Sequence, residues 1–302
     1  MREYQFEQVD VFTDRIFGGN PLAVFSDAGG LDDDEMQAIA REMNLSETTF
    51  VFPPSDPEHL ASVRIFTPHT ELPFAGHPTI GTAWVLGQRG RLPDGSNVAT
   101  LELKSGPVSV EFSGGTSDPD FLWMDQGQAR FGRVVDDRAS VATALSLTAD
   151  DLAYAFPVQP VSTGLPFLIV PLTSKEAVDR AIPDSSAINA WLPTLRDRVR
   201  GFLIFAVDPE EPKAYSRMFA AIGSIWEDPA TGSASGPLGA YLVQHGAVPN
   251  ESGTVEIVNE QGTAMGRQSF ISIRVAVNNG RAGNVRVGGS VVPVFTGQLK
   301  LP

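Results

Sequence analysis

Two loops of the sequence carry an acidic or basic side chain directly before a proline. The first holds His77 in residues 76–79, Gly-His-Pro-Thr, and the second holds Asp228 in residues 228–234, Asp-Pro-Ala-Thr-Gly-Ser-Ala. Proline fits the first position of a helix, where its missing N–H breaks no helical hydrogen bond. The N–H groups at a helix start attract carboxylate or phosphate. Two such ends that face one cleft would form an anion site with an acid/base residue on each wall.

The surroundings of the two loops repeat along the chain. Each loop follows an arginine–apolar–phenylalanine segment, at residues 64–66 and 217–219. In both copies Gly, a small hydroxyl residue and Ala begin three residues after the proline, at residues 81–83 and 232–234. Because the order and the spacing both match, a duplication explains the pattern better than chance. We therefore predict a duplicated domain.

Each candidate residue also has a purely structural interpretation. Taken singly, His77, Asp228 and Ser233 fit helix caps. Glu47 fits a solvated loop carboxylate, and Asn20 fits a turn. The duplication favours a functional role for the two proline loops, but it says nothing about Glu47.

Many short strands and two largely apolar helices must position these loops. The helices that follow His77 and Ser233 leave almost no polar face, so both should be buried. Residues 201–207, Gly-Phe-Leu-Ile-Phe-Ala-Val, predict a strand that is covered on both faces. Since proline is tolerated only in the first turn, Pro237 places the start of the second helix at residues 233–236. A sheet wrapped around a buried helix fits each half better than a regularly alternating parallel β-α-β sheet.

Composition excludes several classes of function. The 302 residues fit two domains, and the net charge of −14 repels nucleic acids and anionic membranes. The chain has no cysteine, and its four histidines are scattered, so thiol chemistry and a metal site are not expected. Neither a phosphate-binding glycine-lysine loop nor a G-x-S-x-G motif occurs. A charged N-terminus and the lack of an apolar span of about 18 residues lead us to expect a cytoplasmic protein.

Several segments resemble the PhzF phenazine-biosynthesis family. They are residues 12–13, 19–24, 44–48, 64–68, 73–79, 227–234, 261–262 and 266–267. The resemblance spans nearly the whole chain, and the segments Gly-His-Pro and Glu-Asp-Pro-Ala-Thr-Gly-Ser-Ala are specific. It implies an α+β fold like that of diaminopimelate epimerase, with two pseudo-symmetric domains and the active site between them. Each domain is a mostly antiparallel curled sheet around a central helix, at residues 1–127 (with 290–302 returning to it) and 128–289.

The resemblance also assigns roles to residues. It implies that the catalytic residues are Glu47, His77 and Asp228. It implies that the substrate-binding residues are Gly76, Gly232, Ser233, Thr231 and Asn20. It further implies a homodimer that uses no cofactor.

These roles predict an isomerase that moves a proton on a small unsaturated or cyclic carboxylic acid. Glu47 would be the acid/base, and we expect burial and a nearby Asp228 to raise its pKa. Epimerases of this fold use two cysteines, which this chain lacks, so two-thiol racemisation is excluded. Two alternatives stay open: a sister enzyme with different chemistry on a carboxylated metabolite, and a non-catalytic carboxylate binder or scaffold.

Overall fold

The chain divides into two compact units. The first unit is Met1–Asp125 with Gly288–Pro302, and the second is Gln126–Val287. The structure is a computed structural model that describes residues 1–114, 121–207, 211–222, 224–248 and 253–302. Within these residues, no helix combines the length and the apolar character needed to span a membrane.

The described residues form a mixed α/β structure. The α-helices are α1 Asp33–Met43, α2 Gly76–Gln88, α3 Arg138–Ala144, α4 Lys175–Arg180, α5 Ser185–Trp191 and α6 Gly232–Gln244. The first nine strands are β1 Arg2–Val11, β2 Asn20–Phe25, β3 Glu47–Phe52, β4 Ala61–Phe66, β5 Glu71–Leu72, β6 Val98–Leu103, β7 Gly106–Phe112, β8 Leu122–Gln128 and β9 Arg130–Phe131. The others are β10 Gln159–Ser162, β11 Pro166–Pro171, β12 Gly201–Val207, β13 Lys213–Ile222, β14 Ser224–Asp228, β15 Gly253–Gln261, β16 Ser269–Asn278, β17 Arg281–Gly289 and β18 Val291–Leu301.

The first unit is built on a mixed sheet. Strand β1 lies antiparallel to both β18 and β2, and β2 runs parallel to β3. Strand β4 lies antiparallel to β3 and β5 and parallel to β6. Strands β6, β7 and β8 continue antiparallel. The last strand therefore returns to pair with the first.

Helix α2 is the central element of the first unit. It packs against β1, β2, β3, β6 and β7, and its residues from Gly76 to Gly87 are all buried. The helix approaches the sheet closely at Gly81, where an added Cβ would lie 2.7 Å from Leu22 Cδ2 and 2.8 Å from Val11 Cγ2. A helix that is apolar on every face can be stable only when it is covered in this way.

Helix α1 covers the opposite face of strand β3. A capping box between Asp32 and Glu35 fixes its start, and three acidic residues in its first turn suit the helix dipole. Its buried side chains join a cluster in which the rings of Phe25 and Phe50 stack with centroids 5.2 Å apart. Strand β3 is therefore enclosed between two helices.

The second unit uses the same kinds of pairing in the same order. Strand β10 lies antiparallel to β11, β11 runs parallel to β12, and β12 lies antiparallel to β13. Strand β13 lies antiparallel to β14 and parallel to β15, and β15 lies antiparallel to β16. Helix α6 packs against β10, β11, β15 and β16 of this unit.

Strand β12 lies between two apolar layers. Phe202 and Ile204 join the cluster formed with α3, α4 and α5. Phe205 points the other way and meets Tyr241 of α6 with ring centroids 5.7 Å apart. The strand is buried from Gly201 to Ala206, as its unbroken apolar run predicts.

Candidate functional site

Glu47 is the first residue of β3 and follows a tight exit from α1. Asn44 ends α1 in the left-handed conformation, with φ at 51°, and this turns the chain towards the sheet. Glu47 pairs with Leu22 across the parallel strands β2 and β3. Its side chain is only 12% exposed, so it is not the solvated loop carboxylate of the structural interpretation.

Alternation along β3 directs Glu47 towards helix α2. Residues two apart on a strand share one face. Thr49 bonds to Thr82 of α2, with the two hydroxyl oxygens 2.9 Å apart. Glu47 lies two residues before Thr49, and its Oε2 atom lies 3.4 Å from Nε2 of His77 on the same helix. The strand and the helix thus bring the first two predicted catalytic residues together.

His77 holds a defined tautomer at the second position of α2. Its ring donates a hydrogen bond to the backbone carbonyl of Pro21. The donor is Nδ1, because Nε2 has no hydrogen-bond partner among the described residues. Burial lowers the pKa of His77 to about 3. The imidazole is therefore neutral near pH 7, and its contact with Glu47 is not an ion pair.

Asn20 and Gly76 lie beside these two residues in the first unit. Asn20 begins β2, is fully buried, and directly precedes the Pro21 carbonyl that orients His77. The turn before it needs glycine, since Gly19 has φ at 60° and an added Cβ would lie 2.3 Å from the Val11 carbonyl oxygen. Gly76 is the first residue of α2, where backbone N–H groups have no partner within the helix.

The second unit brings Asp228 and Thr231 together. Both are buried, and the Thr231 hydroxyl donates a short hydrogen bond to Asp228 Oδ2. Such a bond satisfies one oxygen of a carboxylate that has little access to water. Gly232 and Ser233 follow as the first two residues of α6, and Gln126 Nε2 donates to the Gly232 carbonyl over 3.0 Å.

The structure corrects the predicted helix starts. Helix α2 begins at Gly76, so Pro78 is its third residue, and α6 begins at Gly232, so Pro229 lies outside it. Pro237 is the sixth residue of α6 rather than part of its first turn. The residues that precede the helices as caps are Ala75 and Thr231, so neither His77 nor Asp228 is a cap.

Helices α2 and α6 match when their residues are counted from the helix starts. This match differs from the one in the sequence, which pairs His77-Pro78 with Asp228-Pro229. Both have 13 residues. Thr79 Oγ1 bonds back to the Ala75 carbonyl over 2.7 Å, and Ser235 Oγ bonds back to the Thr231 carbonyl over 3.0 Å. Counted from the helix starts, His77 corresponds to Ser233 and not to Asp228.

The arginine–apolar–phenylalanine segments make matching contacts. Arg64 bonds to Glu71 over 2.8 Å and lies 5.1 Å from the centre of the Phe66 ring. Arg217 bonds to a glutamate, Glu227, over 2.9 Å and lies 4.8 Å from the Phe219 ring. Each arginine therefore ties its strand to the segment leading into the loop of its own unit.

Sequence reasoning missed several residues that hold the second loop. Gln261 and Ser269 contact the backbone of residues 228–231, and Gln126 contacts the start of α6. In the sequence, only the match of Gln261-Gly262 to the family indicated that residues near this loop matter. In the described ranges, no group of three or more His, Asp or Glu side chains could hold a metal ion.

Comparisons with known proteins agree on one family. Residues 9–297 match the family model of the PhzC-PhzF phenazine biosynthesis-like proteins. An uncharacterized isomerase from Clostridium acetobutylicum is 34% identical, with 100% of this chain and 99% of the relative covered. The trans-2,3-dihydro-3-hydroxyanthranilate isomerase of Pseudomonas chlororaphis is also 34% identical, with 97% and 98% covered.

Solved structures show the same fold. A phenazine biosynthesis protein of the PhzF family from Bacillus anthracis superposes with a TM-score of 0.86 and 27% identity, covering 100% of both chains. A hydroxyproline epimerase from Agrobacterium vitis, at 12% identity and a TM-score of 0.67 over 99% of this chain and 92% of that chain, shares the fold alone. The chain therefore belongs to the PhzC-PhzF family of phenazine biosynthesis-like proteins, and it is an isomerase of that family.

Proposed function

We propose that this isomerase moves a proton between two carbon atoms of a small unsaturated or cyclic carboxylic acid without a cofactor. Glu47 removes the proton from one carbon, the double bond shifts, and a proton returns to another carbon. No electrons leave the substrate, so the reaction needs no oxidant. The observation that carries this proposal is the buried contact between Glu47 and the neutral imidazole of His77.

The contact between Glu47 and His77 suits a group that must both take and give a proton. Because Nδ1 donates to Pro21, the Nε2 atom that faces Glu47 carries a lone pair. A protonated Glu47 can donate to this lone pair, whereas an ionised Glu47 faces it without a proton between them. The arrangement therefore holds the protonated carboxyl in place after it has received the proton from carbon.

The starts of α2 and α6 supply backbone N–H groups that can bind the negative charge of the substrate. Helices α2 and α6 each begin with glycine, and their first N–H groups carry the positive end of the helix dipole. In a protein with a net charge of −14, such local donors are needed to hold an anion. We propose that the N–H groups around Gly76, Gly232 and Ser233 bind the carboxylate. Asp228 holds a polar substituent and assists the proton transfer, and Thr231 contributes to substrate binding through its hydrogen bond to Asp228.

The relative from Pseudomonas chlororaphis suggests the class of substrate. Its printed name gives trans-2,3-dihydro-3-hydroxyanthranilate, which is a cyclic, unsaturated amino acid with a hydroxyl group. We propose a substrate of this class, bound by Asn20 and the helix starts. We further propose that the protein works as a homodimer in the cytoplasm and that its two units are pseudo-symmetric.

Proton NMR in D₂O with trans-2,3-dihydro-3-hydroxyanthranilate tests the proposed reaction. The wild type should incorporate deuterium at a ring carbon, and Glu47→Gln should lose about 10²–10⁴-fold in rate, which is what general acid/base catalysis supplies. Glu102→Gln is the matched control, because the Glu102 side chain is 15% exposed and accepts hydrogen bonds from Ser55 and Asp56. It should leave the rate unchanged.

Two results would contradict the proposal. Exchange that survives in a folded Glu47→Gln protein would remove Glu47 from the acid/base role, with His77 or Asp228 next in line. The absence of exchange in the wild type would exclude a proton shift on this compound. It would favour a different substrate, a different chemistry or a binding role.

A further inference from the structure

The loop of residues 228–231 in the second unit is held by two strand ends. Gln261 is the last residue of β15, Ser269 is the first residue of β16, and the two lie opposite each other in the antiparallel register. Both are fully buried. Two polar side chains therefore reach the loop from one end of a single hairpin.

Gln261 uses all parts of its amide on this loop. Its Nε2 atom donates to the Asp228 carbonyl over 2.7 Å and to the Thr231 hydroxyl oxygen over 3.1 Å. Its Oε1 atom accepts from the Thr231 backbone N–H over 3.2 Å. A flipped amide would set oxygen against two acceptors and nitrogen against a donor, so this network fixes the amide orientation.

The amide also fixes the direction of the Thr231 hydroxyl. An amide nitrogen donates and cannot accept, so the hydroxyl oxygen receives a proton from Gln261. The hydroxyl's own proton is then available for the short bond to Asp228 Oδ2. A chain of donors therefore runs from Gln261 through Thr231 to the carboxylate.

Two further contacts hold the same loop. Ser269 Oγ lies 3.1 Å from the Pro229 carbonyl oxygen. Gly262 approaches the same carbonyl closely, and an added Cβ would lie 2.5 Å from that oxygen and 2.4 Å from the Arg267 carbonyl oxygen. The loop backbone is thus fixed independently of the side chain of Gln261.

We propose that Gln261 is a positioning residue for Asp228, and that it acts through the hydroxyl of Thr231. This inference rests on the catalytic role proposed for Asp228. Gln261 does not itself contact the reacting atoms. It keeps the Thr231 hydroxyl donating to the carboxylate, and so fixes the orientation of the carboxylate.

Gln261→Glu tests this inference with almost no change in volume. The new carboxylate cannot donate and would itself accept the hydrogen bond from the Thr231 hydroxyl, so Asp228 loses the bond from Thr231. We expect kcat to fall about 10- to 100-fold, as for the loss of a hydrogen bond to a charged group, with KM little changed. Thr231→Val should cause a similar loss of kcat. Both changes break the same chain of hydrogen bonds. The kcat of the double variant should therefore be little lower than the kcat of either single variant.

Gln159→Glu is the matched control. Gln159 is also buried in the second unit, donates to the Gly132 carbonyl over 2.8 Å and contacts His245 at the other end of α6. This variant should lose stability without losing kcat. An equal loss of kcat in Gln159→Glu and Gln261→Glu would overturn the inference, because a general loss of structure would then explain both.

The ¹³Cγ resonance of Asp228, read at one fixed pH, gives a test that does not depend on turnover. We expect it to move in Gln261→Glu and Thr231→Val and to stay in place in Gln159→Glu. A resonance that does not move in folded Gln261→Glu would overturn the inference. A resonance that moves as expected in a protein that exchanges no substrate proton would support the positioning role while contradicting the proposed reaction.

Discussion

The protonation state of His77 can be tested through the pH dependence of folding. Burial lowers its pKa to about 3 in the folded protein, whereas an exposed histidine has a pKa of about 6.5. Between these values the unfolded chain binds a proton that the folded chain does not. Stability is therefore lost as the pH falls below about 6.5. At pH 5, about 1.5 pH units lower and at about 1.36 kcal/mol per unit, the loss is about 2 kcal/mol.

The perturbation is His77→Gln, which removes the titrating ring and keeps a polar side chain. The free energy of unfolding should be measured in urea at pH 7.5 and at pH 5 for both proteins. We expect the wild type to lose about 2 kcal/mol more than the variant between the two values. Burial also lowers the pKa of His245, but that contribution is present in both proteins and cancels. NMR of the ring nitrogens of residue 77 should show the neutral Nδ1–H tautomer down to pH 5.

The opposite sign would refute this reasoning. If His77 were an imidazolium paired with Glu47, its pKa would be raised in the folded protein. The paired form would then be most favourable at low pH, and the wild type would gain stability relative to His77→Gln between pH 7.5 and pH 5. Equal losses in the two proteins would show that the ring keeps an ordinary pKa. With a raised pKa, Nε2 would carry a proton at neutral pH, and no lone pair would face Glu47.

Three further substitutions test contacts that position the site. Gly262→Ala should lower the free energy of unfolding measured in urea by about 1–3 kcal/mol more than Gly266→Ala, because both residues have positive φ but only Gly262 meets carbonyl oxygens. An equal loss in the two variants would contradict the close approach. Thr49→Val should cost about 1–3 kcal/mol by leaving the buried Thr82 hydroxyl without its partner, and adding Thr82→Val should recover part of this loss in a double-mutant cycle. Additive losses would show that the hydroxyls do not interact. Tyr241→Phe should lower the free energy of unfolding by about 1 kcal/mol, because the phenol donates to the Pro157 carbonyl, and deuterium exchange into substrate should not change.

The buried elements could be predicted from the sequence because burial leaves a strong pattern. An unbroken apolar run from Phe202 to Val207 fits a strand with apolar layers on both faces. The two helices that are apolar all round, α2 and α6, are both buried within their own units. Each of these predictions depends only on the pattern of apolar residues within the segment, and that pattern can be read without knowing the tertiary contacts.

The helix starts could not be predicted, because proline constrains them too weakly. The first four N–H groups of a helix have no partner within it, so Pro78 fits the third position as well as the first. Pro237 at the sixth position removes an N–H that would bond to the Ser233 carbonyl. Packing of α6 against four strands of its unit outweighs that local penalty. The rule that proline is tolerated only in the first turn of a helix is therefore wrong for α6, because tertiary packing stabilises the helix.

Contacts between residues that are far apart in the chain could not be predicted from the sequence either. Glu47 meets His77 because β2 and β3 pair in one register and because β3 turns every second side chain towards α2. A register shift of one residue would move Glu47 to the face covered by α1. Likewise, nothing in the local sequence of Gln261 shows that its amide lies against residues 228–231. The raised pKa expected for Glu47 stays a prediction.

The two units repeat their framework but not their reactive groups. The second position of the central helix carries an imidazole at His77 in one unit and a hydroxyl at Ser233 in the other. The acidic residues also come from different places, since Glu47 begins strand β3 and Asp228 ends strand β14. By contrast, the hydroxyl bonds back to the helix caps and the arginine–glutamate bonds recur in both units. Helix starts that are held by similar contacts therefore carry different side chains at the second helical position.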